Sequence, residues 1–196
     1  MSKKLRSRSK NSANKHQKEL KRKKKVDMNK RSRGIHIREI LSLIRKFDDP
    51  VLLQSSEAVA VGEDLSFVET MKKVLCSTPN GVGLAACQIG KLKNAIVLRF
   101  DPEINNVKVM INPVMLSDNG KYERGTEGCL SYPGLVADIE RLTEITIEYL
   151  DEDFRYHKAT YTGFRARVLQ HEVDHLLGTC ALHTVWEKQK LDKQYA

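Results

Sequence analysis

The sequence predicts an α+β fold, with mixed or antiparallel sheets packed around a central helix. Three observations carry this. A helix-period segment spans residues 63–77, strand-like runs follow one another between residues 95 and 150, and a second helix pattern surrounds residues 170–175. Strands that run consecutively, rather than alternating with helices, point away from βαβ units and a parallel sheet. At 196 residues the chain suits one domain of ordinary size plus an extension.

The elements justify themselves in order. Ile35, Ile37, Ile40, Leu41 and Ile44 open the periodic part and lead into Asp48-Asp49-Pro50, a turn signal. In the first helix Glu63 and Asp64 sit at the positive N-terminus. Leu65, Val68, Met71 or Lys72, and Leu75 then recur at helical spacing until Pro79-Asn80-Gly81. Ala95 to Phe100 is a short apolar run of buried-strand type. Val107, Val109 and Ile111 alternate with other residues, and Asn119-Gly120 predicts a tight hairpin turn. Ile145, Ile147 and Tyr149 alternate with Thr146 and Glu148 as a half-buried strand, closed by Asp151-Glu152-Asp153. The last helix has Thr162 as N-cap, Phe164, Val168, Leu169, Val173 and Leu176 as its apolar surface, and Gly178 as its stop.

Charge divides the chain in two. Of 34 Lys and Arg, 15 fall within residues 1–34 against only Glu19 and Asp27, a net of +13. The remainder carries 19 basic and 23 acidic side chains and is mildly acidic. Residues 1–34 have few large aliphatics and are expected to be a disordered basic extension to a domain at 35–196. Lys21-Arg22-Lys23-Lys24-Lys25 suits contact with RNA phosphates, such as those of a ribosome, and no interleaved aromatic indicates base readout. A plain solubilising tail is the blander reading, and an organelle transit peptide a minority one, because Lys outnumbers Arg and no apolar face is present. No stretch approaches the ~20 apolar residues of a membrane span, so a soluble protein is expected. Cys76, Cys87, Cys129 and Cys180 are scattered, which suits reduced thiols in the cytoplasm.

Chemistry concentrates first at Gln170-His171-Glu172-Val173-Asp174-His175. On a helix, residues i and i+4 share a face, so His171 and His175 can reach one metal ion. Glu172 is rotated roughly 100° from His171 and can hold a water on that metal without ligating it. The plainer alternative is a charged surface helix that happens to carry two histidines.

Two other stretches stand out. Gly81 to Gly90 combines glycines with small apolar residues and one amide, Gln88. It lacks the setting of a phosphate-binding loop and suits an edge that pairs with an extended peptide, or simply a tight turn. The second is Glu127-Gly128-Cys129-Leu130-Ser131. A metal with an open position for water needs a third protein ligand. His183, Glu187, Asp192 and Cys129 are candidates, although a lone Cys is more often a buried inert thiol.

Together, Gly81-Val82-Gly83-Leu84-Ala85-Ala86-Cys87-Gln88, Glu127-Gly128-Cys129-Leu130-Ser131 and Gln170 to His175 resemble the three signature motifs of peptide deformylase, in that family's order. The resemblance covers about residues 37–180 and includes Asp49-Pro50 and Arg141. It implies a deformylase-like fold and removal of the formyl group from N-formylmethionine of nascent chains, releasing formate. It implies Cys129, His171 and His175 as ligands of one divalent metal, with Fe2+ favoured natively and Zn2+, Ni2+ or Co2+ compatible. Glu172 would be general base. The Leu130 N–H and the Gln88 side chain would bind the oxyanion, and the Val82-Gly83 backbone would pair with the substrate. A cytoplasmic monomer is expected.

Some positions depart from the family. Cys87 stands where many relatives have proline and is a candidate oxidisable thiol near the site. Tyr132 to Val136 lacks a basic residue found in some bacterial members. Thr179-Cys180-Ala181-Leu182-His183 is less typical, and the C-terminal extension is short. Two other functions compete: a zinc peptidase with a downstream third ligand, and an RNA-binding protein whose metal is structural.

Overall fold

The computed structural model describes residue 34 and residues 36–101 and 106–194. Of the residues expected to be disordered, 1–33 lie outside the described residues, as does residue 35 at the expected boundary. From Leu41 onward the chain forms one compact unit.

Among the described residues, two antiparallel sheets and three α-helices make up this unit. The helices are α1 (Ser66–Ser77), α2 (Gly163–Leu177) and α3 (Ala181–Gln194). The strands are β1 (Gly83–Ala85), β2 (Ala95–Leu98), β3 (Lys108–Asp118), β4 (Tyr122–Cys129), β5 (Tyr132–Leu142), β6 (Glu144–Leu150) and β7 (Tyr156–Thr162). Five strands form one sheet in the order β1-β2-β3-β6-β7, and β4 pairs with β5 in a second. Every one of these ladders is antiparallel, so the α+β reading resolves to its antiparallel form.

The alternation in β6 puts Ile145, Ile147 and Tyr149 inward, where they meet Ile96, Leu98 and Met110 of the neighbouring strands. Helix α2 lays Ala166, Leu169 and Leu176 on this core. A second cluster, of Tyr132, Cys180 and Leu182 with Phe47 and Trp186 beside them, fixes α3.

Several boundaries differ from the sequence reading for local reasons. Helix α1 starts at Ser66 rather than residue 63, because Asp64 Oδ1 accepts from the Ser66 N–H (2.9 Å) and Glu63 folds back to the Ala60 N–H (3.1 Å). Met71, not Lys72, faces the core. Asn119-Gly120 does form a turn, held by Asp118 Oδ1 on the Gly120 N–H (2.7 Å). It is not a hairpin, however. β3 and β4 belong to different sheets, and the turn carries the chain from one to the other. Thr162 occupies the cap position of α2 without a side-chain cap; the Gly163 N–H instead donates to the Thr143 carbonyl (2.8 Å).

The helix ends at Gly178 (φ 71°) as its sequence predicts. A Cβ there would also lie 2.7 Å from the Leu53 carbonyl, so both the left-handed backbone and the close packing require glycine. Pro50–Leu53 forms a 3-10 turn, started by Asp49 Oδ1 on the Val51 N–H (3.1 Å). Among the described residues no helix is long and apolar enough to cross a membrane.

Candidate metal centre

Helix α2 brings His171 and His175 to one face, one turn apart, with ring centroids 5.0 Å apart and planes at 79°. Both are buried. The helix is held in place by Gln170, whose amide spans a gap to β5. Its Oε1 accepts from the Leu142 N–H (3.0 Å) and its Nε2 donates to the Leu142 carbonyl (2.9 Å). The apolar contacts and this paired bond set the rotation of α2 about its axis, and with it the direction of both imidazoles.

Cys129 arrives from the other sheet. The β4–β5 register shifts between Gly128 and Cys129, an irregularity of the kind that re-aims a side chain at the end of a strand. Its Sγ lies 3.2 Å from His175 Nε2, and the Ser131 N–H (3.4 Å) and Gln88 Nε2 (3.5 Å) donate to it. Cys180, between α2 and α3, completes a cluster. One donor atom each from Cys129, His171, His175 and Cys180 falls within 4.8 Å of the others. Burial pushes the Cys129 thiol up. Interaction with Cys129 and with His175 holds the Cys180 thiol down.

Imidazole and thiolate donors in this number are a set that Zn2+, Fe2+ and neighbouring divalent ions accept. Two polar atoms buried here, Glu172 Oε2 and His175 Nδ1, have no protein partner, which also suits a bound group. His183, the downstream candidate, is elsewhere: its Nδ1 lies 2.9 Å from the Tyr132 hydroxyl. Glu187 and Asp192 are also outside the cluster.

Glu127 organises one side of the cluster. Arg141 Nε and Nη2 donate to its two oxygens (2.9 and 3.0 Å), Arg167 Nη1 adds a third bond (2.9 Å), and His171 Nδ1 donates to Oε2 (3.0 Å). That last bond fixes the tautomer, leaving Nε2 of His171 as the free donor atom. Burial opposes the charge on Glu127, but its hydrogen bonds to His171 and Arg141 outweigh it and hold the carboxyl down at about 2. Arg141 reaches on to Asp174 (2.6 Å), tying the network back to α2. The sequence reading passed over Glu127 as part of a motif flank. The signal that could have found it is a carboxylate two residues before a candidate ligand with Arg141 on the paired strand.

Above the cluster opens a cleft of about 670 Å³, lined among others by Val82, Gly83, Gln88, Leu130, His171 and Glu172. His175 and Cys180 do not line it; they lie behind. β1 is an edge strand of its sheet and among the described residues pairs only with β2, so its other side is available to an extended chain. Gln88 is clamped by Oε1 on the Ala85 N–H (2.8 Å), and its amino group points at Ser131 Oγ (3.1 Å) and Cys129. Glu172 packs against Gly83 so closely that a Cβ there would overlap its carboxylate. Burial raises the Glu172 pKa above the ordinary carboxylate value. Phe164, assigned to the apolar core face of α2, is instead exposed on the cleft wall. Cys87 is no accessible thiol: it is fully buried, its Sγ donates to the His175 carbonyl (3.3 Å), and burial pushes its pKa up to about 12.

The polypeptide deformylase family model matches residues 41–191. The chain belongs to that family. It is 36% identical over 139 residues to peptide deformylase 2 of Vibrio vulnificus, covering 71% of this chain and 82% of the relative. Peptide deformylase of Chlorobium limicola is 38% identical over 154 residues, covering 75% and 82%. Among solved structures, a Synechococcus elongatus peptide deformylase in complex with actinonin superposes with a TM-score of 0.65 at 34% identity, covering 69% of this chain and 75% of that one. The Plasmodium falciparum peptide deformylase gives a TM-score of 0.68 at 30% identity, with 76% and 93% covered. The protein is thus a peptide deformylase, a hydrolase that removes the N-formyl group of formylmethionyl peptides. The expectation of this family from three short motifs agrees with the match along the chain.

Proposed function

We propose that the formyl-methionyl end of a nascent chain lies along β1 in the cleft, and that Glu172 carries the protons of its hydrolysis. Cys129, His171 and His175 hold one divalent metal in this reading. The observation that carries it is the buried Glu172 carboxylate, whose Oε2 has no protein partner at the junction of cleft and donor cluster. A divalent metal bound there supplies a Lewis acid that lowers the pKa of water towards ~7.

The chain's own groups then have definite tasks. The Val82-Gly83 backbone aligns the substrate as an added strand. Glu172 Oε2 takes a proton from the attacking water and returns it to the departing amine nitrogen, so that the C–N bond breaks to formate and a free amino terminus. The raised pKa of Glu172 moves it towards the range where a general base works at neutral pH. Gln88 Nε2 and the Leu130 N–H donate to the developing oxyanion, each typically contributing about 3–4 kcal/mol to barrier lowering.

Fe2+ is the native ion in this reading, in keeping with the family resemblance, although the donor types also accept Zn2+, Ni2+ or Co2+. The enzyme works as a cytoplasmic monomer, and residues 1–34, with their net charge of +13, hold it near ribosomal RNA. The test is formate release from a formyl-Met peptide, under anaerobic conditions, with each divalent metal in turn. Release with at least one metal is expected; no release with any metal overturns the reading. For the arm, deleting residues 1–34 should weaken ribosome binding in a salt-dependent way and leave small-peptide kinetics unchanged. Equal affinity with and without the arm overturns that part.

A further inference from the structure

Beyond three ligands and an open position, the geometry points to a fourth protein ligand: we propose that Cys180 Sγ caps the metal in the resting enzyme and competes with water for its place. The proposal rests on the reading that Cys129, His171 and His175 hold the metal.

Cys180 is brought to the cluster by the chain path itself. Gly178, left-handed and packed too closely on Leu53 to carry a side chain, turns the backbone straight after the His175 turn of α2. The Thr179 N–H donates back to the Asp174 carbonyl (2.9 Å) and fixes the reversal. Two residues after Gly178, the Cys180 side chain folds under the helix end. There its donor atom lies within 4.8 Å of those of all three ligands.

Burial of a thiol among Tyr132, Leu182 and Trp186 is by itself unremarked packing. Cys87 shows what such packing looks like nearby. It is equally buried and also touches His175, but through the backbone carbonyl, and its sulfur is not part of the cluster. Cys180 differs in presenting sulfur to the ligand atoms themselves.

Two thiolates and two neutral imidazoles neutralise a divalent ion and fill a tetrahedron, the arrangement of closed structural sites. Catalysis needs a position for water, so a resting site of this kind must release one ligand. Cys180 is the one suited to leave. It approaches from behind, whereas Cys129 and His171 line the substrate cleft with Glu172. With Cys180 bound, the metal is held more tightly and shielded from water. With Cys180 off, the three remaining donors would let the metal draw towards the cleft, where a water could reach both it and Glu172.

The test is to load the full-length protein anaerobically with Co2+ and count sulfur ligands by X-ray absorption. The same samples give the thiolate-to-cobalt charge-transfer absorbance and the rate of metal loss to a chelator. The wild type is expected to show two sulfur and two nitrogen ligands. In Cys180→Ala and Cys180→Ser the charge-transfer band should fall by about half and metal loss should accelerate at least about tenfold, while formate release per bound metal rises. One sulfur in the wild type, or identical bands and loss rates in wild type and both variants, overturns the proposal; the wild-type count stands even where a variant fails to fold. Cys129→Ala separates this from the underlying reading. If it abolishes binding while Cys180 variants match the wild type, only the cap is refuted. If binding survives Cys129→Ala unchanged, the three-ligand reading fails and the cap with it.

Discussion

A Cβ placed on Gly83 would overlap Glu172 Oε1 and lie 2.8 Å from its carboxyl carbon. The edge strand along which a substrate would pair and the carboxylate that would move its protons are thus built against each other. No other residue type allows both. Gly83→Ala should displace Glu172 by a fraction of its own width while the ligand cluster stays in place. Since misplacement near 1 Å can cost about 10²-fold, kcat/KM should fall by about that factor with metal content unchanged. Steady-state kinetics with metal analysis on the same sample checks this, and wild-type kcat/KM in the alanine variant contradicts it.

Gln88 is prealigned by its bond to the Ala85 N–H, which leaves its amino group facing the cluster. Gln88→Ala should lower kcat by about 10²–10³ with little change in KM, as expected for a donor that acts mainly on the transition state. A change confined to KM would assign Gln88 to ground-state binding instead.

The Glu127 network couples metal affinity to stability. Glu127→Ala leaves Arg141 with half its partners in a buried setting, a change that costs about 3–5 kcal/mol when an ion pair is broken on one side. It also removes the bond that orients His171, so metal affinity should fall about 10–100-fold. Glu127→Gln gives the pH signature. The Glu127 carboxyl titrates at about 2 in the fold against 4.5 ordinarily, so its stabilisation is fully present above pH 4.5 and is lost as pH falls towards 2. Urea midpoints of wild type and Glu127→Gln should therefore differ most above pH 4.5 and converge below it. A gap independent of pH would show that the charge on Glu127 is not what matters.

Thiol reactivity separates Cys87 from Cys76. Cys87 is fully buried with its pKa pushed up to about 12, whereas Cys76 is exposed at the end of α1. Iodoacetamide at neutral pH should label Cys76 readily in the folded protein and Cys87 only on unfolding. Peptide mapping after brief alkylation reads this directly; early label on Cys87 is the contrary result.

Much of this architecture could be read along the chain, for physical reasons that differ by element. Helix α2 declared itself because a 3.6-residue pattern, a spaced histidine pair and a terminal glycine all agree. β6 did so because one face is core and the other is not. β4 and β5 were not legible as a separate sheet. β4 is polar and largely exposed, with Glu127 its one buried side chain, so no alternation marks it. The same gap made Asn119-Gly120 read as a hairpin, since turn chemistry reports that the chain bends and not which strands then pair. Phe164 fits the apolar stripe of α2 by spacing, yet it stands in the first turn, on the cleft wall rather than in the core. Cys180 escaped because a ligand cluster is assembled in space. Its membership depends on the reversal at Gly178 and on β4 ending beneath it, and neither is a property of the local sequence.

The central claim is that Glu172 moves protons without holding the metal. Glu172→Ala should bind metal with the wild-type stoichiometry, measured anaerobically after desalting, yet release formate from a formyl-Met peptide at least about 10²-fold more slowly. Turnover near the wild-type rate, or loss of the metal along with the carboxylate, would contradict the account.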